Sequence, residues 1–306
     1  MLPSIVPDLA PLTRLAEPLV TRFAPSPTGY LHLGHVVNAI YTLGIARAAG
    51  AQVLMRIEDH DRHRSRPAYE CAILDDLAWL GFDAGTPALR QSDDPGAYRD
   101  ALERLRSAHH VFACDCSRKT LADEGYAERY SGYCRTRQLD ERAGTGLRVG
   151  MAPGTEAFDD LRLGHQEQEP AAQCGDLLLR DRDGHWTYQF AVTVDDWRQR
   201  VNLVIRGEDL LSSTGRQIRL GRMLGRERPA CYVHHPLLVS PGGGKLSKAN
   251  RDTGIRDLRA AGLSPEDVIG RAAAAAGLVD RERPLAAHEV EALFRYADLT
   301  RSALPD

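Results

Sequence analysis

The beginning of the chain alternates between short apolar runs and one longer segment in which apolar positions recur at helical spacing. Residues 19–23 and 52–57 are apolar runs typical of β-strands, and residues 36–49, closed by Gly50, carry a helical period. A strand, a loop, a helix and a second strand in this order predict a βαβ unit with parallel strands. A second helix is predicted to end at Gly81, since four apolar positions before it recur at helical spacing: Ile73, Leu74, Leu77 and Leu80.

Beyond residue 90 the pattern becomes irregular as far as residue 175, with cysteines and tyrosines but few long apolar runs. Apolar residues 177–179 and 186–194 then flank a DRDG turn, which predicts a β-hairpin. The remaining predicted elements are a strand at 201–205, a helix at 214–224, strands at 231–233 and 237–239, and a helix that begins at Ser264-Pro265-Glu266-Asp267.

The alternation of strands and helices predicts an α/β fold with a Rossmann-type, doubly wound parallel sheet. A chain of 306 residues fits roughly two domains. We predict an N-terminal extension (1–20), a first half of the main domain (21–94), an inserted subdomain (95–175), a second half of the main domain (176–250) and a helical C-terminal segment (251–306).

Composition excludes several classes of protein. A formal net charge of -3 and a pI near 6.4 exclude the strongly basic profile of proteins that coat nucleic acids, so any nucleic-acid partner would meet one face. Six cysteines at irregular spacing do not form a disulfide framework and indicate a reducing compartment. Four prolines and two acidic residues interrupt the first twenty residues, and no apolar run of about 18 residues exists. We therefore expect a cytoplasmic protein without a membrane span.

The string RFAPSPTGYLHLGH, residues 22–35, stands between the first predicted strand and the first predicted helix. Gly29 and Gly34 allow a close approach of the backbone, and the start of a helix presents free N–H groups. His32 and His35 are three residues apart, so both imidazoles reach the same side of a first helical turn. These features predict an anion site, although a plain surface turn is the alternative for an H-x-G-H pattern alone.

Only three lysines occur in the chain, and two of them, Lys245 and Lys248, lie in the glycine-rich stretch GGGKLSKAN, residues 242–250. An ammonium group on a flexible stem can follow a moving phosphate, whereas a guanidinium group favours a fixed bidentate geometry. The stretch therefore predicts a mobile phosphate-binding loop, with a solvated loop of no chemical role as the alternative.

Charged side chains follow two of the predicted strands. Glu58 follows residues 52–57 in the string RIED, and Arg206 follows residues 201–205 in the string VIRGEDL. Because ligands bind outside the carboxyl ends of parallel strands, we expect both side chains to face one crevice. A carboxylate there can hold an amino group, and a guanidinium group can hold a carboxylate. The alternative is that these are solvated surface charges.

Three cysteines and three tyrosines lie in the string CDCSRKTLADEGYAERYSGYCR, residues 114–135. A C-x-C pattern followed 18 residues later by one cysteine is weak metal spacing, so the spacing alone favours buried free cysteines over a metal site.

Two of these strings together resemble the signatures of a known family. RFAPSPTG with HLGH resembles the first signature of class I aminoacyl-tRNA synthetases, in the version of the glutamyl enzymes, and KLSKA resembles the second signature. The resemblance covers about residues 20–285 and implies a class I catalytic core that uses ATP and Mg²⁺. It implies the catalytic residues His32, His35, Lys245 and Lys248, and the ATP-binding residues His32, Gly34, His35 and Lys248.

The same resemblance implies two further sites. A glutamate pocket would be lined by Arg22, Phe23, Ala24, Pro25, Ser26, Glu58, Tyr188 and Arg206. Val192 stands where the full-length glutamyl enzymes often carry asparagine, so one polar side chain of that pocket is absent. A structural zinc ion would be held by Cys114, Cys116, Tyr130 and Cys134, with Tyr133 as a rival oxygen donor.

Full-length glutamyl enzymes continue into a helical anticodon-binding domain, which this chain is expected to lack. The chain therefore further resembles the glutamyl-queuosine tRNA(Asp) synthetases. This resemblance implies that the chain activates L-glutamate with ATP, transfers the glutamyl group to queuosine in the anticodon of tRNA(Asp), and is a monomer. From the expected absence of the anticodon-binding domain we hypothesise that activation does not need tRNA. Three alternatives stay open: a minimal glutamyl-tRNA synthetase that charges tRNA(Glu), a non-catalytic synthetase-like binding module, and a nucleotidyltransferase of the same fold.

Overall fold

The computed structural model describes residues 5–82, 89–123, 125–126, 129–238 and 254–295. Within these ranges, no helix combines the length and the apolar character that crossing a membrane requires. The predicted lysine loop lies outside the described residues.

The predicted βαβ unit is confirmed near the N-terminus. This part of the chain forms strand β1 (Val20–Phe23), helix α1 (Leu33–Ala49), strand β2 (Gln52–Ile57), helix α2 (Pro67–Trp79) and strand β3 (Leu89–Arg90). The three strands form a parallel sheet in the order β1-β2-β3. Helix α1 ends at Gly50, whose φ of 67° lies in the left-handed region that favours glycine.

The middle of the chain forms short elements that belong to two different sheets. In chain order these are α3 (Pro95–Ala108), β4 (Val111–Cys114), α4 (Arg118–Asp123), β5 (Gly146–Val149), β6 (Glu156–Asp160), β7 (Gly164–Gln168), α5 (Pro170–Cys174) and β8 (Leu177–Arg180). Strands β4, β5 and β8 form an antiparallel sheet in that order.

The last third of the described chain returns to an α/β pattern. It forms α6 (Tyr188–Arg198), β9 (Leu203–Gly207), α7 (Thr214–Met223), β10 (Cys231–His235), α8 (Ile255–Ala260), α9 (Pro265–Ala275) and α10 (Ala292–Arg295). Strands β9, β10 and β6 pair in parallel, and β7 extends this sheet antiparallel to β6. The predicted capping at Ser264 is present as a capping box with Asp267.

The two sheets that contain parallel strands lie side by side. The backbone N–H of Asn202 donates to the carbonyl of Val20 at 3.0 Å, and the side-chain oxygen of Asn202 accepts from the N–H of Val20 at 2.8 Å. Helix α1 packs against β1, β2 and β9. The α/β prediction is confirmed, with the parallel strands divided between two sheets.

The predicted hairpin at 177–179 and 186–194 is wrong in its second half. The turn is closed by one bridge between Arg180 and Trp186, and helix α6 begins directly after it. Phe190, Val192 and Val194 are all at most 1% exposed. A short helix buried on several sides shows a continuous apolar run, which periodicity does not distinguish from a buried strand.

The predicted boundary of the insertion at residue 175 does not coincide with sheet membership. Strands β6 and β7, inside 95–175, pair with the sheet of β9 and β10, whereas β8, outside it, completes the antiparallel sheet. The predicted strand at 237–239 is also not found in its described part, because residues 237 and 238 follow β10 without regular structure.

The N-terminal extension packs on the main domain. The hydroxyl of Tyr41 in α1 donates to the carbonyl of Ile5 at 2.8 Å, and the N–H of Asp8 donates to the carbonyl of Leu161 at 2.8 Å. Leu12, in a short 3-10 helix, is 4% exposed and belongs to the main hydrophobic core. Burial of such side chains ties the extension to the fold.

Candidate active site

One cavity of about 470 Å³ lies at the carboxyl ends of β1, β2 and β9 and at the N-terminus of α1. Every predicted glutamate or nucleotide residue within the described ranges lines it: Arg22, Phe23, Ala24, Pro25, Ser26, His32, Gly34, His35, Glu58, Tyr188 and Arg206. Strand ends far apart in the sequence therefore meet in one crevice, as expected for parallel strands.

The two histidines form the N-terminal cap of α1. Nδ1 of His32 accepts a hydrogen bond from the N–H of Gly34 at 3.1 Å, and Nδ1 of His35 accepts from the N–H of His32 at 3.1 Å. Because both Nδ1 atoms are acceptors, each neutral ring carries its proton on Nε2. The ring centroids are 4.0 Å apart. The pair thus supplies two neighbouring N–H donors of the kind that bind phosphate oxygens.

Gly34 is required by the position of the imidazole of His32. A Cβ atom at residue 34 would lie 2.9 Å from Cε1 and 3.0 Å from Nδ1 of His32. Protein interiors do not tolerate carbon contacts this short, so a side chain here would displace the ring and break its capping hydrogen bond.

A buried carboxylate, Asp196 of α6, holds two arginines, of which Arg22 lines the cavity. Its Oδ1 accepts from Nε of Arg22 at 3.0 Å and from Nη2 of Arg56 at 2.7 Å. Burial alone would raise the pKa of Asp196, but the two guanidinium groups outweigh it and lower that pKa. An ionised Asp196 therefore fixes Arg22, and Nη1 of Arg22 also donates to the carbonyl of Ile205 at 3.2 Å.

Glu58 is the carboxylate at the end of β2. It is 6% exposed, and its Oε1 lies 3.3 Å from Nη2 of Arg56. Burial raises the pKa of Glu58 and outweighs the opposing effect of Arg56 and Arg22. Since Arg56 also contacts Asp196 at the shorter distance of 2.7 Å, Glu58 is only partly compensated. A cationic group entering the cavity would stabilise its charged form.

Arg206 is the opposite case, a guanidinium group without a carboxylate. It is 4% exposed and donates to the neutral acceptors Nε2 of His234 at 3.0 Å, Oε1 of Gln217 at 2.6 Å and Oγ1 of Thr214 at 2.8 Å. Among the described residues, no carboxylate lies within ion-pair distance of it. A buried charge that lacks a counter-ion is costly, so this position favours an anionic ligand group.

Together these groups define what the cavity can hold. Glu58 suits an ammonium group and Arg206 suits a carboxylate, while His32 and His35 suit phosphate oxygens. An amino acid with an acidic side chain, next to a nucleotide, satisfies all of them. Val192, the position that departs from the glutamyl enzymes, is 1% exposed and is absent from the cavity wall.

Lys245 and Lys248 lie outside the described residues, but the chain on both sides of them reaches the cavity. Leu238 lines it. Gly254 forms an antiparallel bridge with His32, and the N–H of Ile255 donates to the carbonyl of Leu31 at 3.1 Å. The segment that carries the two lysines therefore leaves from the cavity wall and returns to it.

The predicted metal residues form a cluster at the end of β4. The Sγ atoms of Cys114, Cys116 and Cys134 all lie within 4.8 Å of one another, and Cys116 and Cys134 are 3.6 Å apart. The hydroxyl of Tyr130 is 3.6 Å from Sγ of Cys114. Burial and the neighbouring sulfur of Cys134 raise the pKa of Cys116 to about 12. Three thiols and a phenol at these distances are a donor set of the type that binds Zn²⁺.

The structure separates the two candidate tyrosines. Tyr130 is 4% exposed and belongs to the cysteine cluster, and its hydroxyl accepts from the N–H of Cys134 at 2.8 Å. Tyr133 is 61% exposed, and the guanidinium of Arg137 lies 4.8 Å from the centre of its ring. The geometry therefore favours Tyr130 as the oxygen donor.

A second group of possible ligands, His63, Asp183 and His185, lies on the other side of Tyr188. Nε2 of His63 is 3.9 Å from Oδ2 of Asp183, and both side chains are about 70% exposed. Surface ion pairs of this kind are common. We assign no site to this group.

Sequence reasoning missed Asp196, Asp160 and His234. Asp196 stands beside Asp195 directly after residues 186–194, the run interpreted as a strand, and its contact with Arg22 spans 174 residues of sequence. His234 bonds to Arg206 across 28 residues and to Asp160 across 74. No local pattern reveals such contacts, and only the pairing of β9, β10 and β6 brings these residues together.

The chain is similar to known proteins of one family. The chain matches the family described as tRNA synthetases class I (E and Q), catalytic domain, over residues 18–277. A glutamyl-Q tRNA(Asp) synthetase of Symbiobacterium thermophilum is 40% identical, with 92% of this chain and 94% of the relative covered. A protein of the same name from Geobacter sulfurreducens is 43% identical, with 76% of each covered.

Among solved structures, a glutamate tRNA ligase from Elizabethkingia meningosepticum in complex with its amino acid is similar in fold. It superposes with a TM-score of 0.74 at 27% identity, over 90% of this chain. The chain spans 64% of that ligase.

Proposed function

We propose that this chain, which belongs to the glutamyl-Q tRNA(Asp) synthetase family of class I tRNA synthetases, activates L-glutamate with ATP. It would then transfer the glutamyl group to queuosine in tRNA(Asp). The observation that carries the amino-acid part is the buried guanidinium of Arg206, which has no carboxylate partner among the described residues. The side-chain carboxylate of glutamate would supply that missing charge in a bidentate contact.

The other end of glutamate would meet Glu58. Its carboxylate would bind the α-ammonium group, and the incoming cation would counter the burial that raises the pKa of Glu58. Arg22 and Tyr188 line the same cavity and would complete the pocket. A neutral side-chain amide, as in glutamine, would leave Arg206 without a counter-ion, so the pocket would favour glutamate.

The activation step requires no protein nucleophile. An oxygen of the α-carboxylate of glutamate attacks the α-phosphorus of ATP, the bond to the β,γ-phosphates breaks, and glutamyl-adenylate and pyrophosphate form. The Nε2–H groups of His32 and His35 would donate to phosphate oxygens as charge shifts onto them. Mg²⁺ bound with the nucleotide would supply further charge neutralisation. Positioning of the two substrates in one cavity contributes the rest.

Lys245 and Lys248 would act on the same phosphates from the segment between residues 238 and 254. Support comes from the two ends of that segment, because Leu238 lines the cavity and Gly254 pairs with His32. A flexible ammonium group suits a pyrophosphate that departs during the reaction.

The proposed acceptor is queuosine in the anticodon of tRNA(Asp), and its support is the name that the similar proteins carry. A hydroxyl group of the cyclopentene ring of queuosine would attack the carbonyl carbon of the adenylate. The new ester bond forms, the acyl–phosphate bond breaks, and AMP leaves. Monomeric state and a cytoplasmic location remain predictions from the sequence.

We also propose a structural zinc ion at the cysteine cluster. Cys114, Cys116, Cys134 and Tyr130 would hold it. Zinc bound there would offset the repulsion between neighbouring thiolates and join the end of β4 to residues 130–134.

The test incubates the protein with ATP, Mg²⁺ and labelled glutamate, together with tRNA(Asp) that contains or lacks queuosine, and with tRNA(Glu). Digestion to nucleosides at acidic pH then locates the label. We expect label only in queuosine-containing tRNA(Asp), on the anticodon nucleoside. Label on the 3′-terminal adenosine of tRNA(Glu) would instead establish a minimal glutamyl-tRNA synthetase. No adenylate with any amino acid would favour a binding module.

A further inference from the structure

Three buried residues form a hydrogen-bonded chain that ends in the cavity. Nδ1 of His234 lies 2.7 Å from Oδ2 of Asp160, and Nε2 of His234 lies 3.0 Å from Nε of Arg206. The side chains of His234 and Asp160 are 0% exposed. This hydrogen-bonded chain therefore connects β6, β10 and β9, and of its three residues only Arg206 lines the cavity.

The hydrogen bonds determine which nitrogen of His234 carries the proton. A guanidinium group only donates, so Nε2 of His234 accepts from Arg206, and Nδ1 carries the proton and donates to Asp160. Oγ1 of Thr214, which is 3.2 Å from the same Nε2, accepts from Nη2 of Arg206. Burial lowers the pKa of His234 and outweighs the opposing effect of Asp160, in agreement with a neutral ring.

Asp160 is itself held rigidly. Its Oδ1 accepts from the N–H groups of Arg162 at 2.9 Å and Leu163 at 2.8 Å. Its Oδ2 accepts from the N–H of His234 at 3.0 Å as well as from the imidazole. The carboxylate therefore cannot turn without breaking several hydrogen bonds, and the tautomer of His234 is fixed with it.

We infer that His234, held by Asp160, is a positioning residue that sets the plane in which Arg206 receives the side-chain carboxylate of the substrate. Gln217 and Thr214, both on α7, hold the two Nη groups, whereas His234 holds Nε from the sheet. Acceptors on separate elements fix the tilt of the guanidinium group as well as its location. The inference rests on the proposed function, because it assumes that the substrate carries an anionic side chain.

Bidentate binding of a carboxylate requires the two groups to be coplanar. Loss of the acceptor at Nε2 is therefore expected to raise the KM for glutamate about tenfold or more, by misplacing Arg206. The KM for ATP should change little, because none of the hydrogen bonds that join Asp160, His234 and Arg206 involves His32 or His35. A general distortion of the cavity would raise both KM values together, whereas a smaller folded fraction would lower only the exchange rate.

Two variants at one position separate the two nitrogens. In His234→Gln, the amide oxygen lies near the former Nε2 and can still accept from Arg206. In His234→Asn, the shorter amide lies near the former Nδ1 and can still donate to Asp160, but it leaves Nε of Arg206 without that acceptor. We expect His234→Gln to keep a glutamate KM within about threefold of the wild-type value and His234→Asn to show the full increase.

A third variant tests the tautomer of His234 by changing its partner Asp160. In Asp160→Asn, the N–H groups of Arg162 and Leu163 hold the amide oxygen in place of Oδ1, so the amide nitrogen faces Nδ1 of His234. The ring of His234 would then carry its proton on Nε2, which faces the N–H at Nε of Arg206. Because two donors cannot bond to each other, the affinity for glutamate should fall although residue 234 is unchanged. The double variant Asp160→Asn/His234→Asn should lose no more than the worse single variant, since both act through one chain.

Measurements combine pyrophosphate exchange, which gives the KM for glutamate and for ATP, with calorimetric titration of glutamate and melting temperatures. Equal KM values for glutamate in His234→Gln and His234→Asn would overturn the inference. A rise in the KM for ATP that parallels the rise in the KM for glutamate would overturn it as well. If wild-type protein binds glutamate but shows no pyrophosphate exchange, the proposed activation is wrong. The ratio of the glutamate dissociation constants of His234→Gln and His234→Asn, measured by calorimetry, then still decides the role of His234. Wild-type protein that neither binds glutamate nor exchanges would overturn both.

Discussion

Nε of Arg22 lies 3.0 Å from Oδ1 of Asp196, and that carboxylate lies on a helix 174 residues further along the chain. The same oxygen is 2.7 Å from Nη2 of Arg56, so one buried carboxylate compensates guanidinium groups from two neighbouring strands. Asp196 therefore joins β1, β2 and α6 next to the cavity. Arg206, which also lines the cavity, has no carboxylate partner in the described ranges.

Replacement of Asp196 by asparagine should destabilise the fold and weaken glutamate binding. Two buried arginines would lose their shared counter-ion, which typically costs about 3–5 kcal/mol in the free energy of unfolding. Chemical denaturation measures this loss. The matched control is Glu282→Gln, which removes the exposed ion pair with Arg271 at 3.4 Å and should change stability by less than about 1 kcal/mol. Equal effects of both variants would contradict the role of Asp196.

Glutamate affinity should depend on pH through Glu58. Burial raises the pKa of this carboxyl above the usual value of 4.5. Protonation removes the charge that binds the α-ammonium group, so the KM for glutamate should rise as the pH falls, with a midpoint above 4.5. The side-chain carboxyl of the free substrate titrates near 4.3, so the Glu58→Gln variant is needed to distinguish the two effects. In Glu58→Gln the KM should be high and independent of pH in this range, and an unchanged pH profile would exclude Glu58.

Gly34→Ala should impair the nucleotide step more than folding. The added methyl group would meet the ring of His32 at 2.9 Å, so we expect the exchange rate to fall about 10- to 100-fold by misplacement of that imidazole. Gly50→Ala, at the other end of the same helix, is the control. Its φ of 67° makes alanine cost about 1–2 kcal/mol of stability, with no loss of exchange. A normal rate in Gly34→Ala would show that the ring has another acceptable position.

Metal analysis should find about one zinc per chain, bound by the cysteine cluster. Cys116→Ser should lose the metal and lower the melting temperature, because folding and metal binding are coupled. Cys231→Ser should retain the metal, since Cys231 lies outside the cluster. Wild-type protein that folds normally after removal of all metal by a chelator would argue for buried free thiols instead.

Local patterns predicted the βαβ unit because each of its signals lies within a few residues of the element it defines, as Gly50 does at the end of α1. They failed at α6, where a buried helix and a buried strand present the same continuous apolar run. In the site, His32, Glu58 and Arg206 were accessible to sequence reasoning, since the carboxyl ends of parallel strands share an edge. Asp160 and His234 were not, because their contact depends on strand order.

The order in which consecutive strands join two different sheets limits which segments can be removed from the protein. The chain leaves the antiparallel sheet after β5, adds β6 and β7 to the sheet of β9 and β10, and returns to add β8. Deletion or transplantation of residues 95–175 as one block would remove Asp160, the carboxylate that bonds to His234, and would leave β8 without its partner β5. Shortening this protein, or transferring its cysteine cluster to another enzyme, would therefore have to treat the segments before and after residues 156–168 separately and leave those residues in place.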